Sequence, residues 1–149
     1  KKEKSEMGFK LTYMEISNFD FQKAMQKMES APTDGFTAYR IGKISAALKN
    51  ARKKITDEYK NEIVEKYAKR DADGKYDENN FVPNEETLAD FQQAQDDFGK
   101  REIFIDRHPF TIADIKDIKL SSAEMTALGN AFDSSDIESK EARALMKTI

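Results

Sequence analysis

One stretch, residues 36–70, limits the fold more than any other because its pattern is that of a single long, strongly charged helix. Apolar residues recur in it at spacings of three and four, which keeps them on one face over several helical turns. These residues are Ile41, Ile44, Leu48, Ala51 and Ile55. The stretch contains no proline, and no glycine after Gly42. At about 1.5 Å per residue the helix is roughly 50 Å long, more than a domain of this size normally buries against itself.

Composition narrows the functional classes. The chain has 149 residues, the size of one domain, and 36% of them are charged while 38% are hydrophobic. This balance suits an extended helical protein better than an enzyme with a deep pocket. The absence of cysteine excludes disulfides, thiolate nucleophiles and zinc–thiolate sites. No apolar run reaches the roughly 18 residues of a membrane span, and no segment resembles a signal peptide. We expect a soluble, intracellular protein that has no membrane partner.

Charge is unevenly distributed along the chain, although the net charge is only −3. Residues 71–98 contain nine acidic residues and a single basic one, and we predict an acidic face at Asp90, Asp96 and Asp97. Residues 40–54 contain six basic residues and no acidic one. A predicted binding surface combines these six cations with three apolar neighbours: Arg40, Lys43, Lys49, Arg52, Lys53, Lys54, Ile41, Ile44 and Leu48.

Two short segments predict a small β ribbon. Residues 8–16 alternate between apolar and polar side chains, and residues 102–106 do the same. A two-stranded ribbon is stable only if a helix covers it. Between residue 16 and the long helix, a capping Asn18 or Asp20 precedes an amphipathic stripe at helical spacing. The stripe consists of Phe21, Ala24, Met25 and Met28, which we interpret as core.

A second helix is predicted to begin at Asn84 and to end at Gly99. The connection from residue 70 is short, so the two helices should form an antiparallel hairpin. Because the second helix is about half as long as the first, it covers only the C-terminal half of its partner, from Ile55 onward. The apolar spacing changes there to steps of four, which also indicates a second packing partner for the long helix.

The C-terminal part of the chain carries clear helix signals. Ser121 and Glu124 form a capping box, flanked by a hydrophobic staple of Leu120 and Met125, and Ser135 with Glu138 repeats the box for a last helix. The predicted architecture is α+β and mainly α: a helical hairpin, a two-stranded ribbon and C-terminal helices. We expect a flexible lead at residues 1–7, one domain at residues 8–132, and a docked or frayed helix at residues 133–149.

The residues offer no catalytic constellation. The segment from Asp71 to Gly74 is similar to the start of a calcium-binding loop, but the register places Lys69 and Asn80 where carboxylates are required. A surface cation at Asp71, Asp73 and Asp77 remains an alternative to a solvated turn. His108 is the only histidine, and the chain lacks a glycine-rich phosphate loop and a nucleophile elbow. We predict no enzymatic activity, no cofactor and no metal site.

Three segments together resemble small uncharacterised accessory proteins of tailed phages and prophages. They read "EKYAKRDADGKY" at the end of the long helix, "EIFID" at the second strand, and "IADIKDIKLSSAEMTALGNAF" toward the C-terminus. The resemblance covers most of residues 10–132. It implies a viral origin and an accessory role, in the host cytoplasm or in the virion, and it carries over no functional residue.

Three hypotheses follow. The leading one is a non-enzymatic phage protein that binds another protein, from phage or host, in virion assembly or in the particle itself, because the long helix is only half covered by its own chain. The second is an inhibitor of a host enzyme or defence system that acts through the acidic face. The third is nucleic-acid binding through residues 40–54, although the net acidity and the lack of interleaved aromatic residues disfavour it. Self-association is left open.

Overall fold

The fold is mainly helical with one small antiparallel sheet, which confirms the predicted α+β class. The structure, a computed structural model, describes residues 8–133. In chain order its main elements are β1 (Phe9–Thr12), α1 (Tyr13–Ser17), α2 (Phe19–Ser30), α3 (Gly35–Tyr59), α4 (Leu88–Gly99), β2 (Glu102–Ile105), α5 (Ile112–Ile115) and α6 (Ser122–Leu128). The predicted lead at residues 1–7 and the predicted last helix with its Ser135 and Glu138 box lie outside the described residues.

The long helix begins where Asp34 caps it, its carboxylate accepting a hydrogen bond of 2.8 Å from the Thr37 amide. After Tyr59 the chain continues through a π-helical turn (Lys60–Val64) and a last α turn (Glu65–Tyr67). The helical run is 33 residues long and ends three residues before the predicted position. A π turn is wider than an α turn and rotates the side chains that follow it. This turn accounts for the change in apolar spacing beyond Ile55, because Ile63 and Tyr67 stay buried.

Helix α2 supplies the apolar layer beside the first half of α3. Asn18 caps it, accepting from the amides of Asp20 at 2.8 Å and Phe21 at 3.1 Å. The predicted stripe is fully buried: Phe21, Ala24, Met25 and Met28. Met28 lies near Ile41, and Phe21 lies near Leu48. The two helices therefore run side by side in opposite directions, with α6 packed on α2.

The β ribbon pairs β1 with β2 in antiparallel fashion, with Phe9 opposite Ile105 and Leu11 opposite Ile103. The prediction that the first strand extends to residue 16 is wrong, because the chain turns into α1 at Tyr13. The Thr12 hydroxyl accepts from the Glu15 amide at 3.1 Å, and the Glu15 carboxylate accepts from the Thr12 amide at 2.8 Å. This capping box stabilises a helix start where alternation alone predicts a strand.

The predicted helical hairpin is formed by α4 and the C-terminal half of the long helix. The ring of Phe98 lies 5.4 Å from that of Tyr59, and the ring of Phe91 lies 5.8 Å from that of Tyr67, both edge to face. The helix ends at Gly99 as predicted. The helical run begins after Asn84 as predicted, but its first turn is a 3-10 turn (Glu85–Thr87) and the Asn84 side chain makes no capping hydrogen bond.

Two capping boxes organise the C-terminal elements. The predicted one is confirmed: Ser121 accepts from the Glu124 amide at 3.1 Å, and Glu124 accepts from the Ser121 amide at 2.8 Å. Glu124 is fully buried and also binds Lys27 of α2 at 2.8 Å. The second box, between Thr111 and Asp114, begins α5. Through Glu124 and Asp114, charged contacts join these elements to α2 and α3.

Gly42 offers a stability test because it lies exposed within α3, and a Cβ at this position would meet no atom within 4 Å. We expect Gly42→Ala to raise the free energy of unfolding by about 0.5 to 1 kcal/mol, since glycine loses more backbone freedom in a helix. Gly74 is the control, because its φ of +75° favours glycine. Gly74→Ala should lower stability by about 1 kcal/mol in urea unfolding. A destabilised Gly42→Ala variant would contradict a regular α3 at this position.

The two buried carboxylates predict that stability falls in acid. Burial opposes ionisation of Asp114, but hydrogen bonds from Arg40 and Thr111 hold its pKa below the ordinary 3.8. Hydrogen bonds from Lys27 and Ser121 lower the pKa of Glu124 below 4.5. Groups whose pKa is lowered on folding contribute their full stability above the unfolded values and lose it as the pH falls through the folded values.

This loss should begin near the unfolded values of 3.8 and 4.5, so urea unfolding should show nearly constant stability from about pH 7 to about pH 6 and a decrease from about pH 5 to about pH 3. A variant with Asp114→Asn and Glu124→Gln should lose less stability over this interval than the natural chain, whatever its stability at neutral pH. An equal loss in both chains would show that these two groups do not determine the acid response.

Candidate functional site on the long helix

The apolar part of the predicted binding surface is buried in the core. Ile41, Ile44 and Leu48 have exposed fractions of only 2%, 3% and 3%. They pack in the cluster that includes the stripe of α2. The prediction that these side chains are free for a partner is wrong, because α2 and the C-terminal elements cover the half of α3 that α4 does not reach.

Three of the six predicted cations are neutralised by the chain itself. Arg40 donates to both oxygens of Asp114, from Nε at 3.2 Å and from Nη2 at 2.8 Å. Lys49 Nζ lies 3.7 Å from a Glu29 oxygen. Lys54 donates to Glu58 and contacts the Tyr13 hydroxyl at 3.1 Å. Of these three, only Arg40 has a buried partner, whereas the pairs of Lys49 and Lys54 are exposed and contribute little to stability.

The other three cations, Lys43, Arg52 and Lys53, are exposed and form no ion pair with any residue between 8 and 133. Two of them lie on the side of α3 that faces away from the core. We call this side the outer face of α3; its members recur at spacings of three and four and are all exposed: Phe36, Tyr39, Lys43, Ala46, Asn50 and Lys53.

The outer face carries two large, exposed aromatic residues. Phe36 is 80% exposed and Tyr39 is 62% exposed. Lys43 Nζ lies 5.3 Å from the centre of the Tyr39 ring, within range of a cation–π contact. The expectation that no aromatic residue accompanies the cations is therefore wrong. The sequence spacing could have shown this, since Phe36 and Tyr39 fall on the same helical face as Lys43 and on a different face from Ile41 and Ile44.

No known family model, curated protein or solved structure matches this chain. Within residues 8–133, no helix combines the length and the apolar character that a bilayer span requires.

A cleft of about 330 Å³ lies beside the outer face, between the end of α2 and the first turns of α3. Met28, Ile41 and Ser45 line it, and its α3 side consists largely of small residues: Ala38, Gly42 and Ala46. The Ser45 hydroxyl donates to the Glu29 carboxylate, so the polar groups of the cleft are paired with each other. A wall of small residues lets another chain approach the helix backbone closely.

The acidic residues predicted to form a face lie on the solvent side of α4. Asp90, Asp96 and Asp97 are exposed, and none of them forms an ion pair within the described part of the chain. Asp97 accepts a hydrogen bond from Gln93 at 3.1 Å. Since Phe91 and Phe98 point toward the long helix, Asp96 points away from it, and Asp90 and Asp97 lie together on one exposed flank of α4.

The other residues considered as possible metal ligands or catalytic groups form local hydrogen bonds in turns and loops. Asp71 accepts from the amides of Asp73 and Lys75, each at 2.9 Å, and Asp77 accepts from the Asn79 amide at 3.0 Å. Over the residues that the structure describes, no group of three or more metal-ligating side chains is found. His108 is exposed, with Nδ1 2.8 Å from the Pro109 carbonyl oxygen. These arrangements explain local structure and assemble no reactive site.

Proposed function

We propose that this protein binds another protein through the outer face of α3 and does not act as an enzyme. The observation that supports this proposal is the exposure of Phe36 and Tyr39 beside cations that have no acidic partner among the described residues. Aromatic residues are enriched at protein interfaces, where burying them supplies much of the binding free energy. Phe36 and Tyr39 lie one turn apart on the same face of α3, so a partner could bury both rings in one contact.

The side chains of the outer face indicate which features a partner surface must have. Phe36 and Tyr39 require an apolar recess, and Lys43 and Lys53 require carboxylates at a similar distance along the contact. Gly42 and Ala46 allow a backbone to pack closely against α3. The resemblance to tailed-phage accessory proteins supplies the setting, so we place the interaction in virion assembly or in the particle.

Nucleic-acid binding is a second candidate, favoured by the contact between Lys43 and the ring of Tyr39. An exposed ring can stack on a base while a nearby cation contacts a phosphate. Affinity for a single-stranded oligonucleotide would then fall steeply as salt is added. The acidic side of α4 and the net charge of −3 disfavour this role.

The proposed function is tested by photo-crosslinking from a benzophenone amino acid placed at position 39, in cells where the gene is expressed naturally. The trapped protein is identified by mass spectrometry, produced separately, and its affinity for the purified chain is measured. We expect the double variant Phe36→Ala, Tyr39→Ala to bind at least about tenfold more weakly, as expected for aromatic residues at the centre of an interface.

Phe19 provides a matched control. It is 72% exposed, and Lys23 Nζ lies 5.3 Å from its ring centre, as Lys43 does from Tyr39. Phe19→Ala should leave the affinity unchanged. Unchanged binding in the Phe36 and Tyr39 variant would refute the proposed surface. If binding were lost instead on reversing Asp90, Asp96 and Asp97 to lysine, the inhibitor hypothesis would replace it.

A further inference from the structure

We infer that the outer face of α3 binds the acidic side of α4 in a second copy of this chain. This inference rests on the proposed function and names its partner. Both surfaces are exposed, and both carry charges that find no counter-charge within residues 8–133: Lys43 and Lys53 on one helix, Asp90 and Asp97 on the other. The two surfaces have opposite charge and belong to the same molecule.

Within one chain these charges cannot meet. The rings of Phe98 and Phe91 hold α4 against Tyr59 and Tyr67, on the second half of the long helix. The cations lie on the first half of the long helix, which α4 does not reach because it ends beside Tyr59. Asp90 and Asp97 lie on an exposed flank of α4, so they can pair with Lys43 and Lys53 only between two molecules.

The charged parts of the two surfaces match in length. Lys43 and Lys53 are ten residues apart on α3, a separation of about 15 Å at the helical rise. The acidic side runs from Glu86, in the middle of the 3-10 turn, through Asp90 to Asp97, about 16 Å by the same rise. The contact is therefore made mainly by the charged side chains, with the exposed Ala89 beside them.

A contact between two different surfaces of identical chains is heterologous. Each molecule uses its α3 face on one neighbour and its α4 face on another, so the contact repeats until a ring closes or a filament grows. The attraction is largely between exposed charges, which salt screens. The assembly should therefore be favoured by high protein concentration and low ionic strength.

The test is sedimentation velocity on the full chain and on two charge-reversed variants. The natural chain should associate with rising concentration in about 0.05 M salt and dissociate in about 1 M salt. Lys43→Glu, Lys53→Glu makes both surfaces acidic, and Asp90→Lys, Asp97→Lys makes both basic. Each variant alone should weaken association by at least about tenfold, because like charges then face each other.

An equimolar mixture of the two variants should associate again, since every acidic surface of one finds a basic surface of the other. Recovery in the mixture also shows that both variants are folded. The control variant Lys10→Glu, Lys119→Glu changes the net charge by the same amount at exposed positions outside both surfaces, and it should associate like the natural chain.

A natural chain that remains monomeric at all concentrations in low salt would overturn this inference, and so would a mixture that fails to associate. The proposed function is judged separately, because a foreign protein trapped from position 39 and lost on Phe36→Ala, Tyr39→Ala would support it even if the chain is monomeric. If the natural chain associates but the Lys43 and Lys53 variant associates equally well, self-association uses another surface and the inference is wrong.

Discussion

Phe21→Ala is expected to lower the free energy of unfolding by about 3 to 5 kcal/mol, the usual range for truncating a fully buried phenylalanine. Phe21 is only 1% exposed and belongs to the α2 stripe that packs against α3 and α6. Its removal loses the free energy of burying the ring and leaves a cavity that α3 and α6 cannot close. Since domains of this size are stable by about 5 to 15 kcal/mol, the variant should be close to unfolding. Urea unfolding followed by circular dichroism measures the change.

Phe19→Ala, two residues earlier in the same helix, is the control. The Phe19 ring is exposed and lies beside Lys23, so its removal should change stability by no more than about 0.5 kcal/mol. Equal losses in the two variants would mean that α2 does not present the described face to the core. A loss below about 1 kcal/mol at Phe21 would exclude it as a central core residue.

The features predicted correctly from the sequence depend on short spacings. The Ser121 and Glu124 box lies within one helical turn, and the apolar stripe of α2 within two. Both the box and the stripe depend on interactions between residues that are close in sequence, so they can be recognised without the tertiary structure. The helical hairpin was also predictable, because two amphipathic helices that follow each other in the chain tend to pack side by side, even across the connection of residues 68–84.

The strand prediction failed for a different reason. Side chains at residues 9, 11 and 13 are buried in the structure just as strand alternation requires, yet Tyr13 belongs to a helix. Alternation over three positions does not distinguish a strand from a strand that ends in a helical turn. The motif of Thr12 and Glu15 has the spacing of a capping box and was the available signal.

The candidate site depended on contacts that sequence spacing does not report. The periodicity of α3 shows which face is apolar, but not that α2 buries it. Arg40 and Asp114 are separated by 74 positions, so nothing local indicated that this cation is neutralised. Once the paired cations are removed from the predicted surface, Lys43, Arg52 and Lys53 remain, and the exposed rings of Phe36 and Tyr39 extend it to the first turns of α3.

Asp114→Ala is the second substitution for which we expect a large effect: it should lower the free energy of unfolding by about 2 to 4 kcal/mol. The carboxylate accepts from the Thr111 amide at 2.9 Å as well as from Arg40, so the change removes the cap of α5 and its tie to α3 together. Asp117 is exposed in the same connection, and Asp117→Ala should have almost no effect on urea unfolding. A loss below about 0.5 kcal/mol at Asp114 would show that this tie does not hold the C-terminal elements in place.

A double variant separates the two contributions at Asp114. In Asp114→Ala alone, Arg40 is left without its partner while its side chain remains 35% exposed, so water can solvate only part of the guanidinium charge. Replacing Arg40 with methionine in the same chain removes that stranded charge and keeps most of the apolar contact. If the unpaired cation causes the larger part of the loss, the double variant should be more stable than Asp114→Ala. Equal stability of the two would instead assign the loss to the cap of α5, because that contact is absent from both.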